Sequence, residues 1–149
     1  MELLETWGLT AVVFLPVIGA LVLGFIKRDN EDALKRIALV VTVLAFLVSI
    51  AVVVGFDFSG GAYNTYQFEV SETWIGAINS NYHVGVDGIS LPLLVLSTFV
   101  MVLAVIYSWN HWEEPKNPKA FLILMLILAT GMNGTFVALD LVLFFIFFE

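Results

Sequence analysis

The sequence contains no cysteine among its 149 residues. A chain without thiols forms no disulfide and supplies no thiolate ligand to zinc or to an iron-sulfur cluster. We therefore expect no redox centre here, and we predict neither cofactor-binding nor metal-binding residues in this chain. Its redox compartment stays undetermined.

Basic residues are scarce as well. Lysine and arginine together number 6 against 13 aspartates and glutamates, which gives a formal net charge of −7. Binding to nucleic acid requires clustered lysine and arginine side chains that neutralise phosphates. We therefore expect no nucleic-acid partner.

Apolar residues, in contrast, make up 60% of the sequence, and the mean hydropathy is +0.99. This is more apolar surface than a soluble core of this length could bury, so we predict an integral membrane protein in contact with the lipid bilayer. Glu2 and Glu5 precede the first apolar run, where a signal peptide would carry basic residues, so this run is predicted to be a retained helix.

Long apolar runs define the expected fold. Four of them approach the roughly 20 residues that cross a hydrocarbon core of about 30 Å: residues 7–26, 37–56, 91–109 and 120–138. A fifth run, 140–149, is long enough only to begin a crossing. We predict an all-α membrane fold with four complete transmembrane helices, the start of a fifth, and an outer loop over 57–87.

The connections between these helices indicate a topology. The basic residues all lie between helices 1 and 2 or between helices 3 and 4: Lys27, Arg28, Lys35, Arg36, Lys116 and Lys119. Basic connections favour the cytoplasmic side of a membrane. We therefore predict a multi-pass protein of the inner or cytoplasmic, energy-transducing membrane, with its N-terminus outside.

Two helices carry residues that predict tertiary contacts. Pro16 lacks a backbone N–H, so we expect it to loosen helix 1 and a neighbouring helix to satisfy the freed carbonyl. In helix 4, Gly131 and Gly134 favour the close approach of another helix, and a bend of the helix is the alternative. Asn133 between them is a candidate for a hydrogen bond across helices.

The outer loop has some local order. Residues 66–70 alternate between apolar and polar side chains, which predicts a short strand after the turn at 60–61. Ser90, with Pro92 in the first turn, is the expected N-cap of helix 3. The loop acids are expected to form a solvated outer face: Asp57, Glu69, Glu72 and Asp87.

Glu149 is the principal candidate for chemistry. It follows Asp140 by nine positions on the predicted fifth helix, a depth of about 13 Å at 1.5 Å per residue. A carboxylate near the bilayer midplane needs a raised pKa, a cationic partner or water, which are the properties of a proton relay. The alternative interpretation is a solvated carboxylate near an interface.

Two further residues are secondary candidates, Asp140 and Asn133. Asp140 is expected mainly to cap the fifth helix, where a carboxylate accepts hydrogen bonds from free N–H groups; an acidic mouth of a proton path is the alternative. Two and a half helical turns separate Asp140 from Glu149, so the two are not expected to form a carboxylate pair.

The two histidines, His83 and His111, lie in loops that the topology places on opposite sides of the membrane. Interfacial hydrogen bonding is therefore expected for both, and no haem or metal site is predicted.

Two segments carry a family resemblance. Residues 82–93 (YHVGVDGISLPL) resemble the start of the third helix in subunit M, or chain 4, of NADH-quinone oxidoreductase. Residues 131–149 (GMNGTFVALDLVLFFIFFE) resemble the turn between helices 4 and 5 of the same family. With the helix order, the resemblance extends over nearly the whole chain.

The resemblance implies a function. A member of this family is an antiporter-like, proton-translocating subunit of respiratory complex I, coupled to quinone reduction by other subunits, which carry the flavin, iron-sulfur clusters and quinone. It implies that residues 1–149 are the N-terminal part of a multi-helix membrane domain. It also implies that Glu149 is protonatable and paired with a lysine on a later helix, for which these 149 residues hold no counterpart.

Other functions are compatible with the same pattern. A subunit of an Mrp-type cation/proton antiporter or of a membrane-bound hydrogenase would share the ancestral fold. A small membrane anchor or assembly protein, which moves no ions, belongs to a different class, and a natural end at Glu149 would favour it.

Overall fold

Five helices and one β-hairpin form the part of the chain that the computed structural model describes, residues 2–59, 64–78, 80–109 and 117–149. In chain order, the elements are α1 (Glu2–Phe25), α2 (Glu31–Gly55), β1 (Gln67–Ile75), a short 3-10 helix (Gly76–Ile78), β2 (Ser80–Val86), α3 (Ser90–Tyr107), α4 (Pro118–Val137) and α5 (Leu141–Phe148).

Helices α1 to α4 are long and apolar enough to cross a membrane. The spans are Leu4–Phe25, Glu31–Gly55, Ser90–Tyr107 and Pro118–Val137. The much shorter α5 begins directly after Asp140. The predicted helical membrane fold, with four spans and the beginning of a fifth, is therefore confirmed, and the segment between α2 and α3 adds a two-stranded sheet to it.

The four spans pack as a bundle in which α1 contacts α2 and α4, while α3 contacts the same two helices from the other side. Helix α5 lies against α4 and β2. The core has two parts. One lies at the hairpin end and includes Leu9, Val12, Leu94 and Leu143; the other lies at the opposite end and includes Leu23, Leu34 and Leu122.

Large apolar side chains also cover the outside of the bundle. More than half of the surface of each of several such residues is exposed: Ile18, Leu21, Leu47, Leu124 and Leu128. Soluble monomers rarely expose contiguous apolar surface on this scale, whereas lipid tails solvate it well. This surface is therefore suited to contact with lipid or with further membrane helices.

Side-chain caps set the starts of the helices. Asn30 accepts a hydrogen bond from the N–H of Ala33 at the start of α2, and Asn117 accepts one from Ala120 at the start of α4. Because the first N–H groups of a helix have no partner within it, these amide oxygens define where each helix begins.

The predicted cap of α3 by Ser90 is wrong. The carboxylate of Asp87 instead accepts hydrogen bonds from the N–H groups of Ile89 and Ser90, at 3.0 and 2.7 Å. The Ser90 hydroxyl accepts in return from the N–H of Asp87 at 3.0 Å. This reciprocal pair resembles a capping box, in which the acid three residues before Ser90 is the cap.

The segment between α2 and α3 contains more strand than the alternation over 66–70 predicts. β1 and β2 pair antiparallel, with Val70 opposite Val84 and Glu72 opposite Tyr82. The predicted turn at 60–61 lies outside the described residues. Irregularities in the register of β1 hide the second half of the strand from a simple alternation pattern.

Phe68 lies at one of these irregularities and has a φ of 54°, which is rare for a large side chain. Its ring is buried against the end of α2, where a Cβ on Gly55 would lie 3.0 Å from the ring. Packing of the ring in the core therefore compensates for a strained backbone.

We expect Phe68→Ala to lower the free energy of unfolding of the complete protein by about 3–5 kcal/mol, because it empties a buried aromatic site. Thermal unfolding in detergent measures this loss. Phe58→Ala is the control, since 57% of the Phe58 side chain is exposed. Equal losses in the two variants would contradict the packing role of Phe68.

Candidate functional site

Asn133 lies at the centre of the bundle, and only 2% of its surface is exposed. Its side-chain amide donates a hydrogen bond to the carbonyl oxygen of Val12 on α1, at 3.2 Å. Its carbonyl oxygen accepts one from the hydroxyl of Ser97 on α3, at 2.9 Å. The predicted bond across helices is present, and it joins three helices.

Pro16 explains why this bond forms at Val12. In an α-helix the carbonyl of residue 12 accepts from the N–H of residue 16, which proline lacks. The amide of Asn133 takes the place of the missing donor. The expectation that a neighbouring helix satisfies the freed carbonyl is therefore confirmed.

A second polar contact links α2 to α3. The hydroxyls of Ser49 and Thr98 share a hydrogen bond of 2.9 Å, and both side chains are buried. The narrow void between Pro16, Thr98 and Asn133 is too small for a water molecule. The contact between these helices, which we call the seam, is therefore dry. It is also fully hydrogen-bonded, because every buried side-chain nitrogen and oxygen in the described residues has a partner.

The sequence does not predict the contacts of Ser49, Ser97 and Thr98. Their only signal is a hydroxyl within an apolar run, and such hydroxyls often bond to their own helix, as Thr42 does to Ala38. The sequence also gives no signal for the contacts of Lys119, whose ammonium donates to the carbonyl oxygens of Gly24 and Ile26 at 2.8 and 2.7 Å. Lys119 thereby satisfies free carbonyls at the end of α1.

Asp140 has the capping geometry that its position predicts. One carboxylate oxygen accepts hydrogen bonds from the N–H groups of Val142 and Leu143, at 2.9 and 3.0 Å. The carboxylate also accepts from the hydroxyl of Ser80 at 2.9 Å and from the N–H of Asn81 at 3.3 Å. The last two bonds reach into β2, which the sequence does not predict.

These donors stabilise the ionised form of Asp140. The hydrogen bond from the Leu143 N–H is the main cause that holds the pKa of this carboxyl below its ordinary value of 3.8, and the Ser80 hydroxyl adds to it, while burial opposes it. Asp140 is therefore a poor group for carrying protons near neutral pH. The alternative role of Asp140, at the acidic entrance of a proton path, stays a prediction.

Glu149 follows the last residue of α5, and its N–H donates to the carbonyl of Phe145 at 3.0 Å. Its side chain is exposed and lines a groove between α4 and α5 together with Thr130, Gly131 and Thr135. The salt bridges among the described residues join Lys35 to Glu31 and His83 to Glu69, so neither includes Glu149. Its role as a relay stays a prediction.

The close packing of α5 against α4 depends on two glycines. A Cβ on Gly131 would lie 2.8 Å from the carbonyl oxygen of Phe147, and one on Gly134 would clash with the Phe147 ring. The close helix approach predicted from Gly131 and Gly134 is therefore present, and Phe147 occupies the space that the missing side chains leave.

The histidines do not meet. His83 on β2 contacts Glu69 on β1 at 2.6 Å, at the exposed surface of the hairpin. His111 lies outside the described residues, as do Trp112 and Lys116. Within the part of the chain that is described, no group of three or more histidine or carboxylate side chains could hold a metal ion.

We expect Asn133→Ala to destabilise the complete protein by about 1–3 kcal/mol, because the carbonyl of Val12 loses its partner. Pro16→Ala restores an N–H to α1, so Asn133→Ala should cost less in that background, by up to about 1.7 kcal/mol. Unfolding measured in detergent for the four variants of this cycle gives the coupling. Identical costs in the two backgrounds would refute the exchange of donors.

The lowered pKa of Asp140 predicts a pH dependence. Stabilisation by the ionised carboxylate is present above its ordinary pKa of 3.8 and is lost as pH falls through the lowered value of the folded protein. In Asp140→Asn, the free energy of unfolding should therefore fall less steeply with acidification below about pH 4. Acid titration of the melting temperature tests this, and parallel curves for both proteins would count against it.

Comparison with known proteins adds to this geometry. The family described as NADH-ubiquinone oxidoreductase chain 4, amino terminus, matches residues 12–135. NADH-quinone oxidoreductase subunit M of Rhodobacter capsulatus is 41% identical over 145 residues, which are 95% of this chain and 27% of that protein.

Relatives in other lineages are also similar. NAD(P)H-quinone oxidoreductase chain 4 3 of Trichormus variabilis is 35% identical over 150 residues, covering 100% of this chain and 27% of that relative. NADH-ubiquinone oxidoreductase chain 4 of Mycosarcoma maydis is 33% identical over 144 residues, covering 95% and 28%. The chain thus spans less than a third of the length of these curated relatives. The match over most of its residues shows that the chain belongs to the NADH-ubiquinone oxidoreductase chain 4 family.

Proposed function

We propose that residues 1–149 form the N-terminal part of an antiporter-like, proton-translocating membrane subunit of NADH-quinone oxidoreductase, in which Glu149 relays protons. The relatives bear the name of this enzyme. The observation that carries the relay is the position of Glu149, at the inner end of an apolar helix whose outer end is capped by Asp140.

The depth of Glu149 gives the physical reason. Nine residues of helix below Asp140 correspond to about 13 Å, which is near the middle of a hydrocarbon core of about 30 Å. A carboxyl group there exchanges its proton easily only if a cation approaches and withdraws, since the cation lowers the pKa and its departure raises it. We propose that a lysine on a later helix is this cation.

The other polar groups at this level do not compete for the role. Asn133, Ser97 and Thr98 cannot ionise in the physiological range, and their hydrogen bonds are made within a seam that excludes water. The described lysines and arginines lie at the end of the bundle opposite the hairpin, in the segment from Lys27 to Arg36 and at Lys119. Glu149 is therefore the ionisable group best placed for a relay.

The proposed setting follows from the same features. The basic end of the bundle faces the cytoplasm, and the hairpin end, with the N-terminus, faces outward. The partners are the lipid bilayer and other membrane subunits of the complex, and nucleic acid is not among them. We assign electron transfer through flavin and iron-sulfur clusters to quinone to other subunits, and these 149 residues offer no thiolate ligand for an iron-sulfur cluster.

In the complete protein, we expect Glu149→Gln to abolish or strongly reduce proton pumping while assembly of the complex is unchanged, because glutamine cannot exchange a proton. Proton uptake by membrane vesicles, measured beside NADH oxidation, checks this. Glu149→Asp keeps the carboxyl group and should retain part of the pumping. Glu72→Gln, at an exposed acid of the hairpin, is the control.

Undiminished pumping in Glu149→Gln would refute the relay. Copurification separates the remaining alternatives. The soluble electron-input subunits of an NADH dehydrogenase support the proposal, whereas hydrogenase subunits or the subunits of an Mrp-type antiporter would identify a relative of the same fold. A complex that assembles but moves no protons in the unmutated form would point to an anchor.

A further inference from the structure

The outer hairpin is attached to the turn between α4 and α5 at several points. The N–H of Leu139 donates to the carbonyl oxygen of His83 at 2.8 Å, and Val84 forms a β-bridge with Ala138. One residue further on, Asp140 accepts from Ser80 and Asn81. Strand β2 therefore bonds to three consecutive residues, 138–140, immediately before α5 begins.

The hairpin is itself held firmly by the bundle. Val84 and Val86 are fully buried in the core at this end, together with Leu9 and Leu91. The hydroxyl of Tyr82 shares a hydrogen bond of 2.9 Å with Thr10 on α1. Because β2 is anchored in this way to α1 and α3, its bonds to residues 138–140 fix the position of the turn relative to the bundle.

Contact between strand and turn is close enough to fix their register. A Cβ on Gly85 would lie 2.8 Å from the side chain of Leu139, so the turn approaches β2 where a larger side chain would prevent it. Sliding by one residue would break the backbone bond at His83 and bring a side chain into this space. The register between β2 and the turn is therefore specific.

Apart from these bonds, helix α5 is held by apolar contacts with α4 and α1. It has eight residues, and Leu143 is the one buried residue among them. Phe147 packs closely against Gly131 and Gly134 of α4. That contact sets how closely α5 approaches α4, whereas the bonds of Asp140 set where the helix starts along the membrane normal.

We propose that β2 is a positioning strap: through Ser80, Asn81 and the carbonyl of His83 it fixes the start of α5 and thereby the depth of the Glu149 carboxyl group. This rests on the proposed function of Glu149. In it, Ser80 and Asp140 are positioning residues, which carry no proton themselves. Their contribution is the distance of Glu149 from the outer surface and from its cationic partner.

The test uses the complete protein in its assembled complex. Nitroxides introduced through genetically encoded amino acids at Ile146 on α5 and Ile106 on α3, both about half exposed, report the separation of these helices by pulsed electron resonance. Ser80→Ala removes one donor of the strap. We expect the distance to shift by at least the ~1.5 Å rise of one helical residue, or its distribution to broaden by that amount.

The pH profile of proton pumping is the second readout, because a displaced carboxyl group changes its burial and its distance from a cation. We expect Ser80→Ala to shift this profile by roughly one unit. Asp140→Ala should shift both readouts further. Asp140→Asn keeps an oxygen that accepts from Ser80, Val142 and Leu143, so it should retain most of the original distance and profile.

Ser71→Ala, at an exposed serine of β1, is the matched control and should change neither readout. If the distance and the pH profile stay unchanged in Ser80→Ala and Asp140→Ala while Glu149→Gln still stops pumping, the strap is wrong and the relay stands. If the distance shifts but Glu149→Gln pumps normally, the relay is wrong, and β2 remains a strap that places α5 alone.

Discussion

A peptide carbonyl inside a bilayer has no water to bond, and this constraint governs the centre of the bundle. Pro16 leaves the carbonyl of Val12 without its helical donor, and Asn133 supplies a side-chain amide in its place. An amide has two ends, so Asn133 also needs a donor for its own oxygen, which Ser97 provides. The missing N–H of Pro16 is thus compensated by side chains that link α1, α3 and α4.

Helix α4 connects this centre to the candidate relay. Asn133 points one face of α4 towards α1 and α3, and Gly131 and Gly134 on the same turn receive Phe147 of α5. The position of α5 therefore depends on α4 through van der Waals contact and on β2 through hydrogen bonds. A membrane protein gains little from apolar contact alone, because lipid is equally apolar, so close packing and polar bonds carry the specificity.

The two ends of the bundle use charge differently. At the hairpin end, carboxylates of Asp87 and Asp140 cap helix starts, where the N-terminal end of the helix dipole favours negative charge. At the other end, the ammonium of Lys119 satisfies carbonyls at the end of α1. Glu149, which we propose as the relay, lies after the last residue of α5 and caps no helix start.

Membership of the chain 4 family was accessible from the sequence because residues 82–93 and 131–149 resemble segments of that family, and the family match confirms it. The capping role of Asp140 was accessible for the same local reason. The cap of α3 was assigned to the wrong residue because Asp87 and Ser90 are both good capping side chains, three residues apart, and the sequence does not tell which one accepts from the helix.

The sequence by itself determined the four spans, since a run of about 20 apolar residues has few alternatives to a helix in lipid, where every backbone group must bond within its own segment. It also determined that Pro16 would free a carbonyl, because proline lacks an N–H wherever it occurs. Only the tertiary structure decided that Asn133 reaches that carbonyl and that Ser80 reaches Asp140. These partners are 121 and 60 positions apart along the chain, and which side chain meets which depends on how the helices and the hairpin pack, not on any local pattern.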